Sequence, residues 1–413
     1  MKNILQTVPE SVFRVIQMAK DFAVSKNYKL YIVGGAVRDY YMSKKPSDID
    51  IVVEGNGMEL AELVAEKLGY KIVRHHKFLT ATIKISEDNE IDFSTARKEI
   101  YRKPAALPDI LPSTIEEDIK RRDFTINAIA ISLNKNNELK VIDPYSGLSD
   151  IKNKIIRVLH NKSFIDDPTR AFRAVRYMTR FGFKIETRTR KLIYKALELQ
   201  VFEQLSSSRI FNEMKLILSE KDPGRCIKNL DRFNLLKVFS DKIKVDRILL
   251  NLLSRIPGIN LKLAYNEQWR ICMVALFSRL SDNEIDLMIK RYPLDRQLIR
   301  ALSQLPEFKK CLKSLNKKIK NSELFSILQD FSDEVIIFGI ADTDSSIIRG
   351  NLLRFIEILK KIQPILSGND LKKMKIPSGP LYSKILREVH LLYLDGRIKS
   401  RDGAFKWVKS RFL

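Results

Sequence analysis

Two kinds of hydrophobic pattern divide this chain, and the division limits its possible folds more than any other feature. Between residues 29 and 145 short β-branched runs recur: KLYIVGG, SDIDIVVEG, ATIKIS, EIDFSTAR and AIAISL. MELAELVAEKLG, closed by Gly69, reads as an amphipathic helix between two of them. From Ser163 onward helical periodicity dominates and no convincing strand follows. Residues 1–27 read as one more helix, Asp143-Pro144-Tyr145-Ser146-Gly147 as a turn, and KIIRVL as a last short strand. The pattern predicts an α+β protein. A mixed sheet with flanking helices occupies residues 1–145, and an all-helical remainder follows, divided into 146–220, 221–320 and 321–413. Thr95 to Pro112 carries three prolines and no period, which predicts a mobile loop of the length that is often functional.

Lys and Arg number 74 against 50 Asp and Glu, a net charge of +24. A surface so basic attracts polyanions, nucleic acid before anionic membrane. No apolar run approaches the roughly 18–20 residues of a membrane span. The N-terminus lacks the apolar core and small-residue cleavage site of a signal peptide. Cys226, Cys272 and Cys311 are far apart and odd in number, so they build neither a disulfide framework nor a zinc site. A cytoplasmic protein is expected, with no membrane partner and no obligate protein partner evident.

Glycine is scarce, 15 in 413 residues, yet Gly34 and Gly35 stand together at the end of an apolar run. A glycine pair lets backbone N–H groups approach an anion closely, and Arg38 just beyond is a natural phosphate partner. Asp48 and Asp50 follow on a predicted strand. Alternation turns both to one face, roughly 6.5–7 Å apart along the backbone. They are either solvated on a polar strand face or held together by a cation, and oxygen-only ligands with room for phosphates suit Mg²⁺. One substrate, a metal–triphosphate, would use the glycines, the arginine and both aspartates. Asp92, in EIDFSTAR, is either a third carboxylate aimed at the metals or an exposed strand residue.

Ser113-x-x-Glu116 is a capping-box pattern opening a short helix. It runs into KRRDFTIN, where Arg122 is placed to reach phosphate or ribose and Asp123 and Asn127 to position it. The alternative is a basic helix end set against the macrodipole. Further on, Asp167 before Pro168 reads as N-cap and first residue of a helix. Arg170, Arg173 and Arg176 recur every three residues on that helix, a stripe that repels itself unless anions compensate it. Asp167 and Arg170, one turn apart, offer acceptor and donor groups in fixed order. Reading a base edge without a nucleic-acid template needs such a pair.

With these residues assembled, the chain resembles the class II tRNA nucleotidyltransferases, the CCA-adding enzymes and their A-adding and CC-adding relatives. The matching stretches are IVGGAVRD, SDIDIVV, IDFSTARKE, EEDIKRRDFTINAIAI, IDPYSGLSDI, IDDPTRAFRAVRYMTRFGF and SRIFNEM, in family order across residues 31–215. Residues 366–413 resemble the tail of many bacterial members, and about 220–365 match in helical character alone. The resemblance implies a polymerase-β-like nucleotidyltransferase head at 1–145, then a neck, a body and a tail. It implies that Gly34, Gly35 and Arg38 cradle the triphosphate, that Asp48 and Asp50 bind two Mg²⁺ ions, and that Arg122 contacts the nucleotide. Asp167 and Arg170 are implied as the amino-acid template for CTP or ATP, with Arg173 and Arg176 in support. Arg209 and Glu213 match a neck motif that braces the template helix. One departure is visible: where the family has Glu-Asp-x-x-Arg, this chain has Asp166-Asp167-Pro168-Thr169-Arg170.

The expected activity is addition of CCA to the tRNA 3′ end. An A-adding enzyme that completes tRNA ending in CC is the alternative, since TARKEIYRKPAALPDILPSTIEEDIKRRDFTINA also resembles those members. A poly(A) polymerase shares the head, but KLGYKIVRHHKFLTATIKI lacks its Gly-Arg-Arg-Phe-Arg-like stretch. A non-catalytic RNA-binding protein fits poorly with intact metal aspartates, glycine pair and template pair.

Overall fold

The computed structural model describes residues 3–46, 48–87, 89–259 and 268–413. Two compact units divide it. The first is Met1–Glu213 with Arg232–Val238, the second Met214–Asp231 with Phe239–Leu413.

In the first unit α1 (Glu10–Lys26) buries Val12, Val15, Ile16, Ala19 and Ala23, the three-to-four spacing of one helical face. It stops where Asn27 takes the left-handed conformation at φ 55°. The chain then builds β1 (Lys29–Val33), α2 (Gly35–Tyr41), β2 (Ile49–Glu54), α3 (Gly57–Leu68), β3 (Lys71–His75), β4 (Thr80–Lys84) and β5 (Glu90–Thr95). After these come β6 (Arg97–Ile100), β7 (Asp109–Pro112), α4 (Ile115–Lys120), β8 (Ala130–Ser132) and β9 (Val141–Ile142). Seven strands form one sheet in the order β3-β4-β5-β2-β1-β8-β9. β2 and β5 run parallel, with Asp50 opposite Asp92, and the other neighbours are antiparallel. β1 and β2 are central and nearly continuously buried, as their unbroken apolar runs require. Tyr31, Val33 and Val52 pack with Ile115, Ile119, Ala128 and Ala130, so α4 and the segment after it are fastened to the sheet. Each buried Val or Ile among them contributes roughly 1.5–3 kcal/mol.

The rest of the unit is α5 (Gly147–Asn153), β10 (Ile155–Ile156), α6 (Ser163–Asp166), α7 (Thr169–Phe181), β11 (Lys184–Ile185), α8 (Thr187–Glu198) and the start of α9 (Ser207–Leu218). α7 is amphipathic, with Ala171, Phe172, Ala174 and Val175 buried.

Four local expectations change. Residues 97–112 are not an irregular loop: β6 and β7 pair antiparallel from Arg97↔Pro112 to Ile100↔Asp109. Their polar, Pro-flanked sequences hide the strand period because neither strand joins the main sheet. The capping box is displaced, since α4 begins at Ile115 with Thr114 at its N-cap position, and Glu54 Oε1 accepts from the Ile115 N–H at 2.8 Å. α7 begins at Thr169, one residue later than expected, yet Asp167 still caps it by accepting from the Thr169 N–H at 3.0 Å. Beyond Ser163 one short strand does occur, β11 against β10 in parallel.

The second unit is helical. Helices Gln268–Phe277 and Asp333–Asp342 are apolar nearly all round and pack on one another as its centre. Gly339 lets helix Arg296–Leu312 pack on Asp333–Asp342, for a Cβ there would lie 2.7 Å from the Phe308 ring. A separate apolar cluster, including Leu371, Ile385, Val389, Ala404 and Val408, binds the C-terminal helices together. Among the described residues no helix is long and apolar enough to cross a membrane, and Cys226, Cys272 and Cys311 are free thiols.

Candidate active site

A cavity of about 540 Å³ opens in the first unit, and it gathers most of the residues singled out from sequence. Gly34, Gly35 and Arg38 line it from the β1–α2 turn. Asp48 and Asp50 line it from β2 and the residues leading into it, Arg122, Asp123 and Asn127 from the segment after α4, and Asp167, Arg170 and Arg173 from α7 and its lead-in. Arg209 reaches it from α9. Asp92, Arg176 and Glu213 do not line it.

Gly34 leaves β1 at φ 69°, ψ −126°, a conformation closed to other residues. A Cβ on it would also lie 2.7 Å from Arg122 Nη1 and 3.7 Å from Asp50 Oδ2. The bare backbone thus lets an arginine and a carboxylate converge on the turn. Arg38 is buried and held on nearly every side. Its Nε donates to Asp39 Oδ1 at 2.9 Å, its Nη1 to Asn127 Oδ1 at 2.7 Å, and its Nη2 lies 2.8 Å from Asp39. The rings of Phe181 and Tyr177 lie 4.7 and 5.5 Å from its Cζ. Such a guanidinium has few N–H groups left to give, and each has a fixed direction.

Asp48 lies just before β2 and is exposed; Asp50 is on the strand and half-buried. Burial pushes the Asp50 carboxyl up to about 6, against the pull of Arg122 and with help from Asp92 and Asp48. Asp92 accepts a short hydrogen bond from Thr82 Oγ1. Among the described residues no three His, Cys, Asp or Glu side chains are grouped closely enough to hold a metal alone. Two carboxylates at a cavity mouth therefore leave the remaining ligand positions to water and phosphate oxygens, which is how Mg²⁺ is commonly bound.

Asp118, which the sequence reading passed over, fixes the two arginines that follow it. Its Oδ2 accepts from Arg122 Nη2 at 2.9 Å and its Oδ1 from Arg121 Nη2 at 2.7 Å. Burial opposes its ionisation, but Arg122 and Arg121 outweigh burial and lower it. The signal was present in EEDIKRRD, where an aspartate precedes arginines at three and four residues, one helical turn away.

Asp123 is the hub behind the cavity wall. It accepts from the Phe124 N–H at 2.8 Å, Asn127 Nδ2 at 2.9 Å and Arg173 Nη2 at 2.6 Å. Burial alone would raise its carboxyl, yet Arg173 and the hydrogen bonds hold it at about 2. Asn127 in turn accepts from Arg38, so one chain of bonds runs from the glycine turn to α7. Arg173 Nη2 also donates to the Tyr177 hydroxyl at 3.1 Å.

Arg170 is buried, with Nη1 donating to Ser163 Oγ at 3.0 Å and Nη2 to the Arg121 carbonyl at 2.7 Å. Asp167 Oδ1 accepts from Thr169 Oγ1 at 2.6 Å and from Arg209 Nη2 at 2.7 Å. Arg209 Nη1 donates to the Ala105 carbonyl at 2.6 Å, tying the β6–β7 tip to the same network. Glu213 is buried near Arg173 and Arg176; burial raises its carboxyl while the two arginines oppose. Sequence reasoning also missed Phe78, Arg97, Tyr101, Tyr177 and Arg180, which line the cavity. Tyr177 and Arg180 continue the Arg170–Arg173 stripe by two more turns, and that spacing was legible. Eight arginines and no lysine line the cavity, which suits planar recognition of phosphates and bases rather than diffuse attraction.

Residues 30–157 match the family described as Poly A polymerase head domain, and residues 182–244 that described as a probable RNA and SrmB-binding site of polymerase A. Over 418 residues the chain is 30% identical to the A-adding tRNA nucleotidyltransferase of Halalkalibacterium halodurans, covering 98% of this chain and 94% of that protein. The chain belongs to the tRNA nucleotidyltransferase family. It is 33% identical over 386 residues to the A-adding tRNA nucleotidyltransferase of Geobacter sulfurreducens, covering 90% of this chain but only 44% of that longer relative. A solved CCA-adding enzyme in complex with ATP superposes with a TM-score of 0.74 at 30% identity, covering 99% of this chain and 98% of that one. The mixed-sheet head of this chain is thereby the polymerase-β-like one, and the expected α+β fold with a helical remainder holds.

Proposed function

We propose that this chain is a cytoplasmic enzyme that adds CCA to the tRNA 3′ end, using CTP and ATP and releasing pyrophosphate. The observation that carries this is the convergence, in one cavity, of Asp48 and Asp50, the Gly34 turn with Arg122 beside it, and the Asp167–Arg170 pair. The incoming nucleotide lays its triphosphate against the glycine turn, where Arg38 and Arg122 meet its charge. Its base faces Asp167 and Arg170, whose positions are fixed by Arg209, Ser163 and the Arg121 carbonyl. Asp48 and Asp50 are the residues that would hold two Mg²⁺ ions, which would supply charge neutralisation for the transferred phosphate. Asp92, opposite Asp50 on β5, is a third carboxylate beside them. The tRNA 3′-oxygen bonds to the α-phosphorus as the bond to pyrophosphate breaks in line. Arginines locked by buried carboxylates need no rearrangement to stabilise that charge. Residues 1–145 act as head, 146–220 as neck, and 221–320 and 321–413 as body and tail that hold tRNA through its phosphates.

A second reading, addition of the terminal A alone, is favoured by the A-adding relatives at 30 and 33% identity. Incubating tRNAs that end before CCA, after C and after CC with CTP and ATP, followed by sequencing of the products, separates the two. CCA ends on the shortest tRNA establish the first, extension of the CC-ending tRNA alone establishes the second, and no extension of any tRNA overturns both.

A further inference from the structure

Phe78 lines the cavity, and the roles assigned above leave it idle. It belongs to the short turn His76–Phe78 between β3 and β4, and it lines the cavity with its side chain 43% exposed. A single exposed phenylalanine means little on an ordinary surface. This one is different because its backbone is pinned while its ring is left open. The Phe78 carbonyl accepts from Arg97 Nη1 and from Thr80 Oγ1, the latter at 3.1 Å. The next residue, Leu79, is locked in the left-handed region at φ 52°, with its N–H on the His76 carbonyl at 3.2 Å and its own carbonyl accepting from the Thr95 N–H at 3.0 Å. The flanking Arg74, His75, His76 and Lys77 are all exposed, so a basic surface leads up to the ring.

We infer that Phe78 is a stacking platform for the terminal base of the RNA that is being extended. This rests on the function proposed above. The incoming nucleotide already has its triphosphate at the glycine turn and its base at Asp167 and Arg170. The remaining occupant of the cavity is the RNA end, whose 3′-hydroxyl must arrive at Asp48 and Asp50. Thr80 pairs with Ser94 of β5, and β5 pairs with β2. Through that register Thr80 lies level with Val52, two residues along β2 from Asp50, and Phe78 lines the same cavity as Asp48 and Asp50. An aromatic face accepts any base, which suits an end that changes identity as it grows. The exposed Lys77 and the two histidines complement the phosphates behind that base.

The test is steady-state kinetics of the full chain with tRNA ending in CC, varying tRNA and ATP separately. Phe78→Ala is expected to raise KM for tRNA about tenfold or more, leaving KM for ATP within about twofold. Phe78→Trp, which keeps an aromatic face, is expected to stay within about threefold of the parent. Because the ring is exposed, both variants should keep the parent's thermal midpoint, which calorimetry checks. An unchanged KM for tRNA in Phe78→Ala, an equal rise in KM for ATP, or a Trp variant as impaired as the Ala variant each overturns the platform. Absence of transfer by the unaltered chain overturns the proposed function instead, so the two failures are distinguishable.

Discussion

Gly34 and Arg122 occupy each other's space: a Cβ on the glycine would lie 2.7 Å from the arginine's Nη1. The backbone there is at φ 69°, so a side chain is refused twice, by local geometry and by the neighbour. Gly34→Ala is expected to cost about 1–3 kcal/mol of stability and to displace Arg122, with turnover falling at least about a hundredfold. Gly35→Ala should be far milder, since its Cβ would meet Arg38 Nη2 at an ordinary 3.6 Å. Single-turnover rates and denaturant titration of the two variants check the contrast.

Asp48→Ala and Asp50→Ala are each expected to abolish transfer, by about a thousandfold or more, without unfolding the chain. Asp48 is exposed, so its removal leaves no cavity. Asp50→Ala removes a carboxylate that burial already disfavours as an ion, so its stability should hold or rise slightly. Near-normal turnover of either variant at ordinary Mg²⁺, with tRNA binding intact, would rule out the metal role.

Arg170→Ala is expected to damage base choice more than tRNA affinity. The side chain is buried and bonded to Ser163 and to the Arg121 carbonyl, so it is aimed, whereas affinity is spread over many exposed lysines and arginines. A well-placed pair of hydrogen bonds is worth roughly 1–3 kcal/mol of discrimination. Competition between ATP and UTP or GTP is the measurement. A variant as selective as the parent but weaker in tRNA binding would contradict the template assignment.

Asp123 gives a pH dependence with a definite sign. Its folded carboxyl sits at about 2, below the unfolded value near 3.9. The unfolded chain therefore binds the proton first, and the stabilisation is complete above about pH 4 and lost as pH falls towards 2. The shift corresponds to about 2–3 kcal/mol. Asp123→Asn should lower unfolding free energy by about that amount at pH 7, and the gap to the parent should narrow between pH 4 and 2. Urea titrations at pH 7, 4 and 3 measure it, and a gap that stays constant with pH would show that the Arg173 pairing is not its source.

The sequence by itself located most of the elements and many of the residues that line the cavity. Short β-branched runs located β1, β2, β4, β5 and β8, and the helical period with Gly69 bounded α3, because these patterns record burial. Glycine pair, alternating aspartates and arginine stripe were legible because each is a pattern within a few residues of one segment. Tertiary structure decided what lies between. β3, exposed along nearly its whole length at the sheet edge, and the β6–β7 hairpin, outside the main sheet, carry no strong apolar alternation to read. The bond from Arg38 to Asn127, 89 residues apart, and that from Arg209 to Asp167, 42 apart, exist only once the sheet and α7 have folded. Which arginines face the cavity and which are spent on buried carboxylates depends on the summed geometry of several elements, and no single stretch of sequence holds that sum.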